Sequence, residues 1–198
     1  MKKILDYEKI ILASKSPRRL EILNSHGIDP IVIPTDTDES LPDGISYSDA
    51  VKMLSLEKAT ACYEKIKNDE EYRDSLIIAA DTVVYTDKLG IMGKPADRDE
   101  AYLMLKTIRN TSHFVATGVS LLETDSGDAK TFCDITEVWC KNYSDEDIYE
   151  YIDTDEPYDK AGSYAIQSAF GKHIDHIVGE YENVVGLPFN RIIKKLNK

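Results

Sequence analysis

The stretch that most constrains the fold of this chain is Leu76-Ile-Ile-Ala-Ala-Asp81-Thr82-Val-Val-Tyr85, a strongly apolar run with one carboxylate at its centre. Its length and composition predict a buried strand. An unpaired carboxylate in such a place is very costly, so Asp81 needs a cation, a metal or a strong set of donors. A structural ion pair meets that need. A metal ligand or general base meets it too, and is favoured because basic candidates for an anionic substrate lie elsewhere in the chain.

Around that run, short apolar segments alternate with amphipathic ones. Lys9–Ala13 reads as a strand, and Ser16 as the cap of a helix that starts at Pro17 and stops before Gly27. Residues 30–34 read as a second strand. A polar loop then leads to a helix over Tyr47–Ile66 with Val51, Leu54 and Cys62 on its apolar stripe. Asp97 caps a helix bearing Ala101, Leu105 and Ile108. The β-rich runs 113–123 and 130–140, split by Asp125-Ser-Gly-Asp128, predict a hairpin. Ser144 caps another short helix, residues 156–188 read as loops and short strands, and Phe189–Leu196 closes the chain as a helix. The expectation is an α/β fold with at least one antiparallel pair, as a single domain over 1–198.

Composition narrows the function classes. The net charge of -12 argues against a nucleic-acid binder that relies on a broad basic surface, yet permits a small anionic ligand in a locally basic cleft. No apolar run approaches the roughly 20 residues a membrane helix needs, so no membrane partner is expected. The N-terminal MKKILDYEKI meets Asp6 and Glu8 too early for a signal peptide. Cys62, Cys133 and Cys140 form no CxxC pair, which points to free thiols in a reducing, cytoplasmic compartment.

A compact basic cluster does occur, in Ser14-Lys15-Ser16-Pro17-Arg18-Arg19. With Pro17 as the first helical residue, Arg18 and Arg19 fall in the first turn, where the helix dipole disfavours bases. Free backbone N–H groups, two guanidiniums and the hydroxyls of Ser14 and Ser16 suit a polyphosphate; a solvated turn is the plain alternative. Lys58 falls on the buried stripe of the Tyr47–Ile66 helix, so it must snorkel to the rim or face a polar cleft. Glu39 lies in the acidic loop Thr35-Asp36-Thr37-Asp38-Glu39. Such loops are usually solvated, but magnesium takes one or two carboxylates plus substrate phosphates, and Glu39 with Asp81 would supply them. Lys94, in Gly93-Lys94-Pro95, is either a turn lysine or a phosphate contact; the spacing is not that of a Walker loop. His173 and His176 lack a third zinc ligand in the sequence. Gln167 reads a base edge or merely ends a strand.

Taken in order, these segments resemble the Maf family of nucleotide pyrophosphatases, also described as septum-formation proteins. The resemblance is carried by Leu12-Ala-Ser-Lys-Ser-Pro-Arg-Arg19, Glu39, Glu57-Lys58-Ala59, Ala80-Asp81-Thr82-Val-Val84 and Gly93-Lys94-Pro95. It continues in Glu156-Pro-Tyr-Asp-Lys-Ala-Gly-Ser-Tyr164 with Ile166-Gln167, and in Asn183-Val-Val-Gly-Leu-Pro188. It implies an elongated mixed sheet with flanking helices, related to inosine-triphosphate pyrophosphatases, with two lobes around a central cleft. It also implies hydrolysis of a nucleoside triphosphate to monophosphate and pyrophosphate with Mg2+ or Mn2+. In that pattern Asp81 is the base for water, Glu39 helps Asp81 hold metal, and Arg18, Lys58 and Lys94 engage the triphosphate. Arg18, Thr82 and Gln167 match positions that set base choice, and their local sequence resembles the branch acting on dTTP and UTP. Family analogy also allows a homodimer. The alternative function is a nucleotide-binding regulator of cell division with little hydrolysis, which the pairing of Glu39 with Asp81 disfavours.

Overall fold

The computed structural model describes residues 1–197. After a 3-10 turn at Ile4–Asp6, strand β1 (Lys9–Leu12) leads into helix α1 (Pro17–Ser25) and the short strand β2 (Ile31–Val32). Helix α2 (Tyr47–Ile66) is followed by the long strand β3 (Ser75–Thr86), β4 (Gly90–Met92) and helix α3 (Arg98–Ile108). Strands β5 (Ser112–Glu123) and β6 (Ala129–Cys140) precede helix α4 (Asp145–Ile152). A run of 3-10 turns then reaches β7 (Ile174–Val178), α5 (Tyr181–Val185) and α6 (Phe189–Leu196). Among the described residues no helix is long and apolar enough to cross a membrane.

The strands form one mixed, seven-stranded sheet in the order β2-β1-β3-β5-β6-β7, with β4 paired to β3. β1 runs parallel to both neighbours, setting Ile11 beside Ile31 and Ile77. β5 and β6 form the expected hairpin. At its turn Glu123 N–H donates to the Asp128 carbonyl, and at its far end Cys140 N–H donates to the Thr111 carbonyl. β2 is shorter than the five-residue strand expected from the sequence. It lies at the sheet edge, and Pro30 and Pro34 on either side lack the N–H a ladder requires.

The chain folds into two compact units. The first combines residues 1–81, 117–134 and the chain from Gly186 on; the second combines 82–116 and 135–185. The core of the first unit gathers Ile11 of β1, the following Ala13, and Ile77 and Ala79 of β3 against Ala59, Cys62 and Ile66 of α2. Gly118 of β5 lets α2 come close, because a Cβ there would stand 2.1 Å from the Val51 carbonyl oxygen. The core of the second unit packs Met104, Leu105 and Ile108 of α3 with Val115, Val138 and Phe170.

Helix starts follow their capping chemistry. Ser46, Asp97 and Ser144 each accept a backbone N–H from the third helical residue, and Ser144 with Asp147 completes a reciprocal capping box. α1 differs from expectation: Ser16 occupies the N-cap position, but its side chain makes no capping hydrogen bond. α5 falls in the region expected to hold only loops and short strands, since five residues are too few to display a helical period.

Candidate active site

The end of β1 delivers Ser14 to the mouth of α1. Its buried hydroxyl oxygen accepts from the Ser16 N–H at 3.2 Å and from Arg19 Nη1 at 3.0 Å. With its lone pairs engaged, the Ser14 hydroxyl has its own proton left to donate. The backbone N–H groups of the first helical turn are thus left without a side-chain cap.

The two arginines in the first turn of α1 are not equivalent. Arg19 Nε donates to the Gly186 carbonyl at 2.9 Å, tying α1 to the loop before α6. Its side chain is half-buried; burial lowers its pKa and the neighbouring Arg18 adds to that, with Asp81 and Glu39 acting in the opposite sense. Arg18 makes no hydrogen bond or ion pair among the described residues. A guanidinium left unengaged at a helix N-terminus, beside one locked in place, is what an anionic ligand requires.

Asp81 is 9% exposed, and the cation it needs is Lys58. The Lys58 ammonium donates to Asp81 Oδ1 at 2.6 Å and to Glu39 Oε1 at 2.7 Å. Lys58 therefore faces a polar recess between two carboxylates, which decides between the two positions that its place on the α2 stripe left open. Within the acidic loop the side chains alternate. Asp36 pairs with Lys15 at 2.6 Å and Asp38 turns back onto Ser40, whereas Glu39 reaches Lys58. The loop is thus partly a solvated surface, as its composition suggests, and partly site.

Seven of the sequence-derived candidates lie in the first unit: Ser14, Ser16, Arg18, Arg19, Glu39, Lys58 and Asp81. Thr82, Lys94 and Gln167 lie in the second unit, Thr82 following Asp81 directly along β3. Lys94 is exposed and has no ion pair among the described residues. Its neighbour Gly93 is fixed because the Gly93 carbonyl accepts the Gly162 N–H at 2.9 Å. Gln167 is exposed, and its amide makes no hydrogen bond among the described residues.

Both histidines weighed as metal ligands have packing roles. His173 sits against Tyr143 and Phe170, with ring centroids 4.9 Å and 5.2 Å away, and His176 stacks on Trp139 at 5.5 Å. No group of three or more His, Cys, Asp or Glu that could hold a metal gathers among the described residues. The carboxylates that come together at this place are Glu39 and Asp81, both bonded to Lys58. One ammonium bonds both carboxylates, so Glu39 and Asp81 face the same recess. Two hard carboxylates with the rest of the shell left to water and phosphate oxygens fit Mg2+ or Mn2+.

Sequence reasoning missed the Gly186 carbonyl as the anchor of Arg19, and the buried polar pair His113 and Tyr164 in the second unit, 2.6 Å apart. The glycine in Asn183-Val-Val-Gly-Leu-Pro188 gave a signal for the first. A histidine within an apolar strand gave one for the second.

Comparison with known proteins places the chain among relatives of one family. The family model described as Maf-like protein matches residues 9–198. A dTTP/UTP pyrophosphatase of Acetivibrio thermocellus is 42% identical over 185 residues, covering 93% of this chain and 92% of that protein. One from Caldicellulosiruptor bescii is 40% identical, with 96% and 94% covered. One from Dictyoglomus turgidum is 42% identical, with 96% of each covered. Among solved structures, the Staphylococcus aureus Ham1 protein superposes with a TM-score of 0.52 at 15% identity, covering 96% of this chain and 98% of that one, a likeness of fold.

Proposed function

The chain belongs to the Maf-like protein family, and from that premise we propose that it hydrolyses dTTP and UTP to the nucleoside monophosphate and pyrophosphate with a divalent cation. The observation that carries this reading is the Lys58 ammonium held between Glu39 and Asp81, beside an arginine pair in the first turn of α1. Three unpaired thiols support a cytoplasmic site of action.

The reaction sets a charge problem, because the phosphorus under attack is surrounded by anionic oxygens. Mg2+ or Mn2+ held by Glu39 and Asp81 would neutralise phosphate charge and acidify a water molecule. Arg18, the Ser14 and Ser16 hydroxyls and the free N–H groups of α1 bind the polyphosphate, and Arg19 stiffens that turn by its bond to Gly186. Lys58 counters charge as it builds on the phosphoryl oxygens and holds Asp81 in orientation. Asp81 accepts the water proton at its carboxylate. In the second unit Lys94 binds phosphate, while Thr82 and Gln167 provide a hydroxyl and an amide suited to a pyrimidine edge.

The test is a product assay. Purified protein with Mg2+ or Mn2+ is expected to convert dTTP and UTP to monophosphate and pyrophosphate in equal amounts. Asp81→Asn should lower kcat by at least about a thousandfold while the melting curve shows a folded protein. Tight nucleotide binding with no pyrophosphate released under any divalent cation would instead establish a binding protein.

A further inference from the structure

We propose that the buried hydrogen bond between His113 and Tyr164 positions Gln167, and through it sets selectivity for the pyrimidine base. The inference rests on the reading of Gln167 as a base contact. Its basis is the way the second unit holds the segment 164–168.

Gln167 is exposed and its amide is unengaged among the described residues, yet the residues on either side are fixed. Upstream, Gly162 has φ +69, and any Cβ there would stand 2.7 Å from Val84. Ser163, fully buried with φ 65, is one of few non-glycine residues in the left-handed region, and its hydroxyl donates to the Met104 sulfur at 3.1 Å. A buried non-glycine residue in that conformation persists only where its surroundings over-determine it. The pair turns the chain so that Tyr164 enters the core. Its hydroxyl lies 2.6 Å from His113 Nε2, its ring meets the His113 ring edge-on at 5.3 Å, and Phe170 lies 5.3 Å away. Downstream, the Ser168 hydroxyl donates to the Ala165 carbonyl at 3.0 Å and lies 3.2 Å from the Tyr151 hydroxyl. Gln167 therefore projects from a short segment tied down at both ends.

His113 is fully buried, and its other ring nitrogen lies 4.0 Å from the Cys140 sulfur. Burial pushes its pKa down to about 3, so the ring stays neutral and the hydrogen bond keeps its sense at working pH. Breaking the bond would leave a hydroxyl or a ring nitrogen unpaired inside the core, which holds Tyr164 in place more strongly than ring packing alone. The chemistry suits base reading. Uracil and thymine present an N–H donor flanked by carbonyl acceptors, and a primary amide matches adjacent donor and acceptor only if its plane is held. Base rejection of this kind depends on polar groups fixed in place.

Steady-state kinetics on UTP, dTTP and CTP test this with five variants and the wild type. Gln167→Ala serves as the reference for loss of base reading and is expected to flatten the ratio of kcat/KM for UTP over CTP. Tyr164→Phe and His113→Leu should flatten it in the same way. For both, KM for UTP should rise about tenfold and kcat should change less than threefold, as expected for lost positioning. His113→Gln, which places an amide nitrogen near the position of Nε2, should restore most of the ratio. If Gln167→Ala flattens selectivity while Tyr164→Phe and His113→Leu keep it, the positioning role is overturned and the base contact stands. If Gln167→Ala itself keeps selectivity, the base contact falls and the positioning role with it. Should both core variants fail to fold by circular dichroism, Ser168→Ala, at the half-exposed downstream anchor, decides in their place: flattened selectivity supports the tethered segment, and wild-type selectivity overturns it.

Discussion

The two adjacent arginines show how much the surroundings of a residue decide. Both sit in the first turn of α1, yet Arg19 is bonded to the Gly186 carbonyl and the Ser14 hydroxyl, whereas Arg18 is not engaged. Arg18→Ala should leave the melting temperature nearly unchanged and raise KM for UTP by about tenfold, the size of one lost charge-assisted phosphate contact. Arg19→Ala should also lower stability by about 1–3 kcal/mol, because a carbonyl and a buried hydroxyl lose their partner. Equal melting curves for the two variants would contradict this division. From the sequence both arginines qualified for a polyphosphate, and nothing in it separated them, because the partner of Arg19 lies 167 positions along the chain. Asp81 was legible in the opposite way. A carboxylate in an apolar strand must meet a cation, and the apolar period of α2 put Lys58 on the inner stripe. That the two requirements meet in one ion pair follows only from the packing of α2 beside β3.

At the level of elements, α2 is the part whose position matters most for the proposed chemistry, because it carries Lys58 to Glu39 and Asp81. Its approach depends on Gly118, where an added Cβ would lie 2.1 Å from the Val51 carbonyl oxygen, a backbone atom that cannot rotate aside. Gly118→Ala should therefore shift α2 away from β5. A loss of about 1–3 kcal/mol is expected, the usual cost of overpacking a core, together with reduced kcat as Lys58 moves. Denaturant titration and initial rates check both; a stable variant with full activity would show that α2 can slide without cost. The long elements were legible because their signals are local: the period of α2, the caps of α3 and α4, and the turn between β5 and β6. β2 and α5 were not, because a two-residue edge strand and a five-residue helix repeat too few times to show a period.

For the whole molecule, acid sensitivity should follow from His113. Burial holds its pKa at about 3, below the value of about 6.5 it takes in an unfolded chain. The unfolded state therefore binds more protons between these two values, so stability present at neutral pH is lost as pH falls from about 6.5 towards 3. At pH 5 the loss from this one group is about 2 kcal/mol, at about 1.4 kcal/mol per pH unit below the unfolded value. Thermal melts of wild type and His113→Gln at pH 7 and pH 5 should show the variant losing less on acidification. Equal losses would mean that other groups, among them the many carboxylates of a chain with net charge -12, dominate the acid response.

The sequence by itself determined the α/β class, the long helices, the hairpin, the membership in one family and the residue types a triphosphate and a divalent cation require. These depend on local periodicity, capping and short motifs, which a chain displays before it folds. Tertiary structure alone decided which cation answers Asp81, that Arg19 is committed while Arg18 is not, and that Tyr164 is pinned to His113 three residues ahead of Gln167. Each of these is a contact between residues far apart in sequence. Such partners are chosen by packing and by the cost of leaving a buried polar group unpaired, neither of which is written in local sequence.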